Sequence, residues 1–307
     1  MNGTCLSAQS SKLNELNIQT LNGIQQQLVK LVNSSGKLAS YGAKWAIISN
    51  SSRRASTTLE KLKSLGCDTS LFLGVITSGE LTHQYLLRLP ILHLRRDDEW
   101  FASLGRSCIH LTWSVKGAIS LEGLGLEVVE NVQEADFILA HGTDALGLSS
   151  GDSLQMNLDD LEKIPEQCAS KKIPMVVANP DYVTIEPGNL RAMPGTLAAT
   201  YEKLGGEVKW MGKPHKQIIY KSATEMAAAV DASDCINVGD SLHHDIKGAN
   251  AAGIASLFIT SCGVHATELE LSKFGEAADN NSVRALALKY AAYPTHVLGV
   301  PFFYVVN

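Results

Sequence analysis

A short apolar segment that ends in two closely spaced carboxylates constrains this chain most. Residues 236–239 read Ile-Asn-Val-Gly, Asp240 follows them directly, and Asp245 precedes a helix pattern rich in small residues. A carboxylate after a buried strand and a second one near the next helix can face one Mg²⁺, which takes a few carboxylates, waters and phosphate oxygens. A turn with an N-cap Asp and no ligand gives the same pattern. The segment predicts either a Mg²⁺ site or a structural turn, and the spacing of the two carboxylates does not distinguish them.

A second apolar segment ends at a hydroxyl. Residues 45–48 read Trp-Ala-Ile-Ile, and Ser49 and Asn50 come next, ahead of an amphipathic run over 55–65. A hydroxyl and the free N–H groups at a helix N-terminus can hold a phosphate. Ser and Asn also cap helices that bind nothing. This segment is therefore a candidate phosphate site with a structural alternative.

A third segment is Met-Gly-Lys-Pro-His at 211–215. The glycine allows a backbone turn, Pro214 suits the first position of a helix, and Lys213 lies just before it. A lysine is most often a solvated surface charge. Lys213 is a candidate anion ligand only in combination with the other two segments.

In chain order, these segments resemble motifs two, three and four of the haloacid dehalogenase superfamily. Further segments are similar to its subfamily IIA, which carries a large α/β cap between motifs two and three. They lie at residues 76–82, 177–181, 188, 194–196 and 263–268. The resemblance extends from about residue 37 to 307 and implies an α/β fold, in which a Rossmann-like core with a parallel sheet carries an inserted α/β cap.

The resemblance also implies a chemistry. In the family, an Asp attacks the phosphorus of a phosphomonoester and water hydrolyses the aspartyl-phosphate, while a second Asp acts as general acid and base. By the same resemblance, Ser49 and Asn50 hold phosphate oxygens, and Lys213 holds the nucleophile and the phosphoryl group. Asp240 and Asp245 bind or orient Mg²⁺, which aligns the displacement.

The cap of such proteins contributes to substrate choice. The resemblance places Asn179 and Asp181 in that role, for a small phosphorylated metabolite. Asp181 follows Asn-Pro, so a plain turn residue is the alternative interpretation.

The nucleophile of this mechanism is missing from the sequence. The family carries it in Asp-x-Asp or Asp-x-Phe-Gly, some 25 to 35 residues before motif two by the resemblance. Here the first Asp is Asp68, after motif two, and Glu15 is the only carboxylate before Glu60. Glu15 has no apolar strand before it and no acidic partner two residues on, which favours a solvated helix residue.

The segment before motif two also lacks the expected first strand. Residues 16–38 have apolar positions at helical spacing, and residues 28–32 are the only weak strand candidate. The chain has the pattern of a family member whose first motif was skipped or exchanged, as a splice variant or an incorrect gene model would produce. We expect either a substitute strand at 28–32 or a weakened core.

The resemblance and the local patterns divide the chain into three parts. A first core part covers 1–79, with 1–36 atypical, a cap covers 80–208, and a second core part covers 209–307. The cap has strand candidates at 107–113, 126–129, 136–139 and 174–178 and an amphipathic helix at 156–170.

Composition excludes several classes of protein. The net charge of −5 gives no basic footprint for nucleic acid, and the longest apolar run is too short to span a membrane. Six cysteines without a C-x-x-C pair favour a reducing compartment. We expect the cytoplasm, with plastid or mitochondrion as the alternative.

Two functional hypotheses follow. The first is a Mg²⁺-dependent phosphomonoester hydrolase by family, inactive or impaired in this chain because the nucleophile is absent. The second is a non-catalytic protein, a pseudo-enzyme, that binds phosphate, Mg²⁺ or a partner.

Overall fold

The structure, a computed structural model, divides into two compact units. The first unit comprises residues 1–49, 56–76 and 213–307, and the second comprises 50–55 and 77–212. The structure describes residues 2–7, 43–64, 66–87, 98–114, 116–186, 189–215, 219–220, 223, 230–260, 264–271, 276 and 278–299.

The described residues form strands and helices in alternation. The strands are β1 (Asn2–Ser7), β2 (Lys44–Ser49), β3 (Phe72–Thr77), β4 (Ser107–Thr112), β5 (Glu127–Val128), β6 (Phe137–Ala140), β7 (Ala145–Gly147), β8 (Ser153–Gln155), β9 (Met175–Val177), β10 (Val183–Glu186), β11 (Asn189–Ala192), β12 (Val208–Trp210), β13 (Cys235–Gly239), β14 (Ala255–Ile259) and β15 (His296–Leu298). The α-helices are α1 (Ala55–Ser64), α2 (Ser78–Leu87), α3 (Asp98–Ser103), α4 (Leu158–Ser170), α5 (Pro194–Lys203), α6 (Lys247–Ala252) and α7 (Asn280–Tyr290). Short 3₁₀ turns lie at Thr69–Leu71 and Ala232–Asp234, and a π-helical turn lies at Leu242–Ile246.

The first unit is built on a six-stranded sheet in the order β15-β14-β13-β1-β2-β3. Strands β13, β14 and β15 pair in parallel. From Trp45 on, β2 is buried, as is all of β13, which is typical of central strands covered on both faces. This sheet is the Rossmann-like core that the resemblance implies.

Strand β1 corrects the expectation for the beginning of the chain. It lies between β2 and β13 and runs antiparallel to both, with Thr4 opposite Ile47 and Val238. The prediction that the first strand has no good candidate was wrong, because Asn2–Ser7 takes its place. The weak candidate at 28–32 lies outside the described residues. The sheet predicted as parallel is interrupted at its centre by one strand of opposite direction.

The second unit has a sheet of its own in the order β12-β9-β6-β4-β7-β8, and β5 also pairs with β4. Strands β4, β6, β9 and β12 are parallel, whereas β7 and β8 are antiparallel, and β10 and β11 form a separate hairpin. Strands and a helix occur where the periodicity predicted them: β4, β5, β6, β9 and α4. The mixed α/β fold class is confirmed.

Each unit buries its own apolar side chains. Alternate residues of β13 and β14 point to opposite faces, so that Val238 and Leu257 pack with Trp45, while Phe258 packs under α7. In the second unit, the core includes Ile109, Ile138 and other residues of its sheet, with Leu161 from α4 and Tyr201 from α5. The two sheets thus have separate hydrophobic cores.

Candidate functional site

The two carboxylates lie directly after β13. Asp240 and Asp245 are both buried, and Asp245 belongs to the π-helical turn. The Asp240 Oδ2 accepts a hydrogen bond from the Val264 N–H at 3.2 Å, and the Asp245 Oδ2 accepts one from the Ser241 N–H at 3.2 Å. Gly239 allows this approach, because a Cβ there would lie 2.3 Å from the Asp245 Cβ.

Lys213 reaches the same place from a distant part of the chain. Its Nζ lies 2.7 Å from the Asp245 Oδ1, and only 1% of each side chain is exposed. The ammonium also donates to the Ile48 carbonyl at the end of β2, at 3.4 Å. The structure therefore brings together three segments that the sequence singled out separately. Such a buried ion pair is tolerated only when its hydrogen bonds are satisfied.

The carboxylate pair is electrostatically suited to a cation. Burial, and then the nearby charge of Asp245, raise the pKa of Asp240 to about 7. A divalent cation would relieve this repulsion. Among the described residues, no group of three or more His, Cys, Asp or Glu side chains could hold a metal. Two buried carboxylates fit Mg²⁺, which takes its other ligands from water and phosphate.

Two further side chains hold the turn that carries Asp245. The Asn237 Nδ2 donates to the Asp245 carbonyl at 3.2 Å, and the Tyr220 hydroxyl donates to the His244 and Asp245 carbonyls at 3.2 and 3.1 Å. Sequence reasoning missed both residues. A polar Asn inside an apolar strand was the available signal for Asn237, whereas Tyr220 had none.

The candidate phosphate residues lie at the carboxyl end of β2. Ser49 is the last residue of this strand, and both Ser49 and Asn50 are buried. Within the second unit, the Asn50 Nδ2 donates to the Asp181 Oδ1 at 2.8 Å, and the Ser78 hydroxyl donates to the Asn50 Oδ1 at 3.3 Å. The Asn50 side chain therefore already has protein partners.

Asn179 and Asp181 form a local turn in the second unit. The buried Asn179 Oδ1 accepts a hydrogen bond from the Asp181 N–H at 3.0 Å. The turn interpretation of Asp181 therefore has structural support, and Asp181 also contacts Asn50. Gly188 lies outside the described residues.

The histidines between the two carboxylates are turn residues. His243 and His244 lie in the π-helical turn, and the His244 Nδ1 lies 3.0 Å from the Lys213 carbonyl oxygen. A neighbouring histidine, His265, is buried against this turn; it lies in the family-like segment 263–268 but was given no role from the sequence.

Comparison with known proteins supports the family resemblance. A family model described as HAD-hydrolase-like matches residues 210–285, which include Lys213, Asp240 and Asp245. A hydrolase of the haloacid dehalogenase-like family from Brucella suis 1330 is 25% identical over 88% of each chain, with a TM-score of 0.64. Over these residues, this chain is similar to hydrolases of the haloacid dehalogenase-like family.

Other solved structures share the fold of this haloacid dehalogenase-like chain. A possible sugar phosphatase from Cytophaga hutchinsonii is 20% identical, covers 93% of this chain and 92% of its own, and has a TM-score of 0.62. A p-nitrophenyl phosphatase from Archaeoglobus fulgidus is 20% identical over 88% of each chain, with a TM-score of 0.56. No curated protein matches the chain.

The predicted family and fold class are confirmed. In this haloacid dehalogenase-like chain, most of the second unit lies between β3 and Lys213 in sequence, as the resemblance to subfamily IIA implies. Within the part of the chain that the structure describes, no helix has the length and apolar character to cross a membrane.

Proposed function

We propose that this chain binds phosphate monoesters together with Mg²⁺ in its first unit but does not hydrolyse them through an aspartyl-phosphate. It would be a phosphatase-type member of the haloacid dehalogenase superfamily that retains the binding half of the site. The ligand class we propose is a small phosphorylated metabolite.

The direction of β1 carries this proposal. Asn2 is paired with Ser49, whereas Ser7 is paired with Lys44 and Cys235 at the other edge of the sheet. The family's nucleophile follows the carboxyl end of the central strand, next to motifs two and four. In this chain, that end of β1 lies at the edge opposite to Asp240, and no Asp occurs before Asp68.

The binding roles follow from the contacts. Both oxygens of Asp245 accept hydrogen bonds from Lys213 and Ser241, so Asp245 orients the lysine. Asp240 has only the Val264 amide on Oδ2 among the contacts described, so we assign it as the direct Mg²⁺ ligand. Ser49 and Lys213 would hold phosphate oxygens. When bound, Mg²⁺ would neutralise charge on the phosphate.

We propose the second unit as the cap, with boundaries near residues 80 and 208. Asn179 and Asp181 are its candidate substrate residues. The hydrogen bond between Asp181 and Asn50 lies within this unit and joins two of the candidate residues.

A turnover assay tests the absence of hydrolysis. The purified chain is incubated with p-nitrophenyl phosphate and Mg²⁺, beside Lys213→Ala as the control. We expect equal rates, because without a nucleophile the two-step route is lost. A Mg²⁺-dependent rate of about 1 per second, absent from Lys213→Ala, would contradict the proposal.

A thermal-shift titration tests the binding half. Mg²⁺ with inorganic phosphate is added to the wild type, to Asp240→Ala and to Asp159→Ala, an exposed carboxylate of α4 as control. A millimolar Kd gives about 1 to 2 kcal/mol of stabilisation at a few tens of millimolar ligand. We expect this shift in the wild type and in Asp159→Ala only. Identical shifts in all three proteins would remove the metal role of Asp240.

A further inference from the structure

We infer that His265, held in one orientation by Glu268, is a positioning residue for the Asp240 carboxylate. The part of this inference that concerns the cation rests on the proposed function. The part that concerns the geometry of Asp240 does not.

Two adjacent residues, Val264 and His265, contact Asp240 and the backbone that follows it. The Val264 N–H donates to the Asp240 Oδ2 at 3.2 Å, and the His265 Nε2 accepts a hydrogen bond from the Leu242 N–H at 3.1 Å. Leu242 begins the π-helical turn two residues after Asp240. His265 therefore fixes the backbone after the carboxylate, and its neighbour binds the carboxylate itself.

The tautomer of His265 follows from its two partners. A ring nitrogen that accepts from a backbone N–H carries no proton, so the proton of the neutral ring lies on Nδ1. The Nδ1 lies 2.6 Å from the Glu268 Oε2 and donates to it. Burial lowers the pKa of His265, which favours this neutral form. The ring thus works as a bridge between a carboxylate and a backbone amide.

Glu268 is itself fixed by α7. Its Oε1 accepts from the Lys289 Nζ at 2.6 Å, and the Tyr290 hydroxyl lies 3.1 Å from the same oxygen. Burial raises the pKa of Glu268, but the hydrogen bonds from Lys289 and His265 outweigh it and lower that pKa below its usual value. A charged acceptor of this kind sets the orientation of an imidazole, as carboxylates do behind metal ligands.

Substitution of His265 by Gln or by Asn tests its two hydrogen bonds separately. In His265→Gln, the amide oxygen reaches about as far as Nε2 and can still accept from the Leu242 N–H. In His265→Asn, the shorter amide reaches only the position of Nδ1, so the donor to Glu268 is kept and the acceptor for Leu242 is lost. His110→Asn is the matched control, because His110 is equally buried but lies in the second unit.

The first measurement is calorimetric titration of the full-length variants with Mg²⁺ in the presence of inorganic phosphate. Loss of an outer partner of a metal ligand typically weakens affinity 10- to 100-fold, so we expect a Kd at least about tenfold higher in His265→Asn. His265→Gln should stay within about threefold of wild type, and His110→Asn should lower stability without changing the Kd. An unchanged Kd in His265→Asn, or an equal change in His110→Asn, would overturn the inference.

The second measurement needs no cation and separates this inference from the proposed function. Amide hydrogen exchange by NMR reports the Val264 N–H, whose acceptor is Asp240. We expect that amide to exchange at least about tenfold faster in His265→Asn than in the wild type and in His265→Gln, with β13 unchanged. If the wild type binds no Mg²⁺, the proposed function fails while this result still decides the role of His265. Equal Val264 exchange in all variants would refute the positioning role.

Discussion

Lys213 and Asp245 are buried together in the first unit, with 1% of each side chain exposed. Removing one partner of such a pair leaves an uncompensated charge in a low-dielectric interior. The stability of the first unit and the geometry of its candidate site therefore depend on the same two side chains.

Lys213→Met is expected to destabilise the chain by about 3 to 5 kcal/mol, because Asp245 loses its counter-charge. Urea unfolding followed by circular dichroism measures this loss. Lys163→Met is the control, since Lys163 pairs with Asp160 on the surface of α4 and should cost less than about 1 kcal/mol. Equal stability of the two variants would show that the buried pair does not stabilise the fold.

A second residue-scale feature is the histidine pair of the second unit. The His110 Nε2 lies 3.1 Å from the His141 Nδ1, and both rings are buried. Burial lowers the pKa of His110 to about 4 and lowers that of His141 well below its usual value. The folded state therefore favours the neutral rings, whereas the unfolded chain takes up protons below about pH 6.5.

It follows that the contribution of His110 to stability is complete above about pH 6.5 and decreases as the pH falls towards 4. From pH 7 to pH 5 we expect His110 to account for up to about 2 kcal/mol of lost stability. Urea unfolding at both pH values, followed by tryptophan fluorescence, measures this. Trp100, Trp113 and Trp210, three of the four tryptophans, report on the second unit. A pH dependence as steep in His110→Gln as in the wild type would contradict the prediction.

At the scale of the element, β1 supplies backbone partners to both of its neighbours. Its register pairs Thr4 with Ile47 of β2 and with Val238 of β13. Proline at position 4 removes one N–H from this ladder and distorts the strand.

Thr4→Pro is therefore expected to speed amide exchange in β2 and β13 while leaving β6 of the second unit unchanged. Hydrogen exchange with mass spectrometry gives both values in one experiment. Fast exchange in β2 and β13 already in the wild type, relative to β6, would instead support the weakened core expected from the sequence.

The elements show what the sequence could predict and why. Strands β2 and β13 were predictable because each is an apolar run that ends in polar residues, and β4, β6 and α4 had clear periodicity. Strand β1 was not predictable, because Asn-Gly-Thr-Cys-Leu-Ser has no apolar run. Its assignment depends on pairing with residues that lie 37 to 47 and 228 to 234 positions away in the sequence. His265 lay in the family-like segment 263–268, but its role was not predictable because one histidine in a turn carries no spacing signal.

At the scale of the whole molecule, the two units differ in how many separate stretches of the chain form their cores. The hydrophobic cluster described for the second unit lies within residues 109–210, whereas the sheet of the first unit is assembled from three separate stretches. Strand β13 depends on β1 for one of its two ladders.

A fragment of residues 77–212 is accordingly expected to fold alone, with slow exchange in β4 and β6. A fragment of residues 213–307 is the control and should not fold, because β13 would be left with an open edge and only two other strands. Circular dichroism and hydrogen exchange of both fragments check this. A folded second fragment would show that β1, β2 and β3 are dispensable.

The direction of β1 also determines how the chain could acquire a nucleophile. A six-residue strand is about 20 Å long, so an Asp placed after Ser7 would start at the wrong edge of the sheet. An Asp that follows the central strand, as in the family, would reach the candidate site only if the strand ran through the sheet in the opposite direction. Such a change is an exchange of a whole segment of sequence.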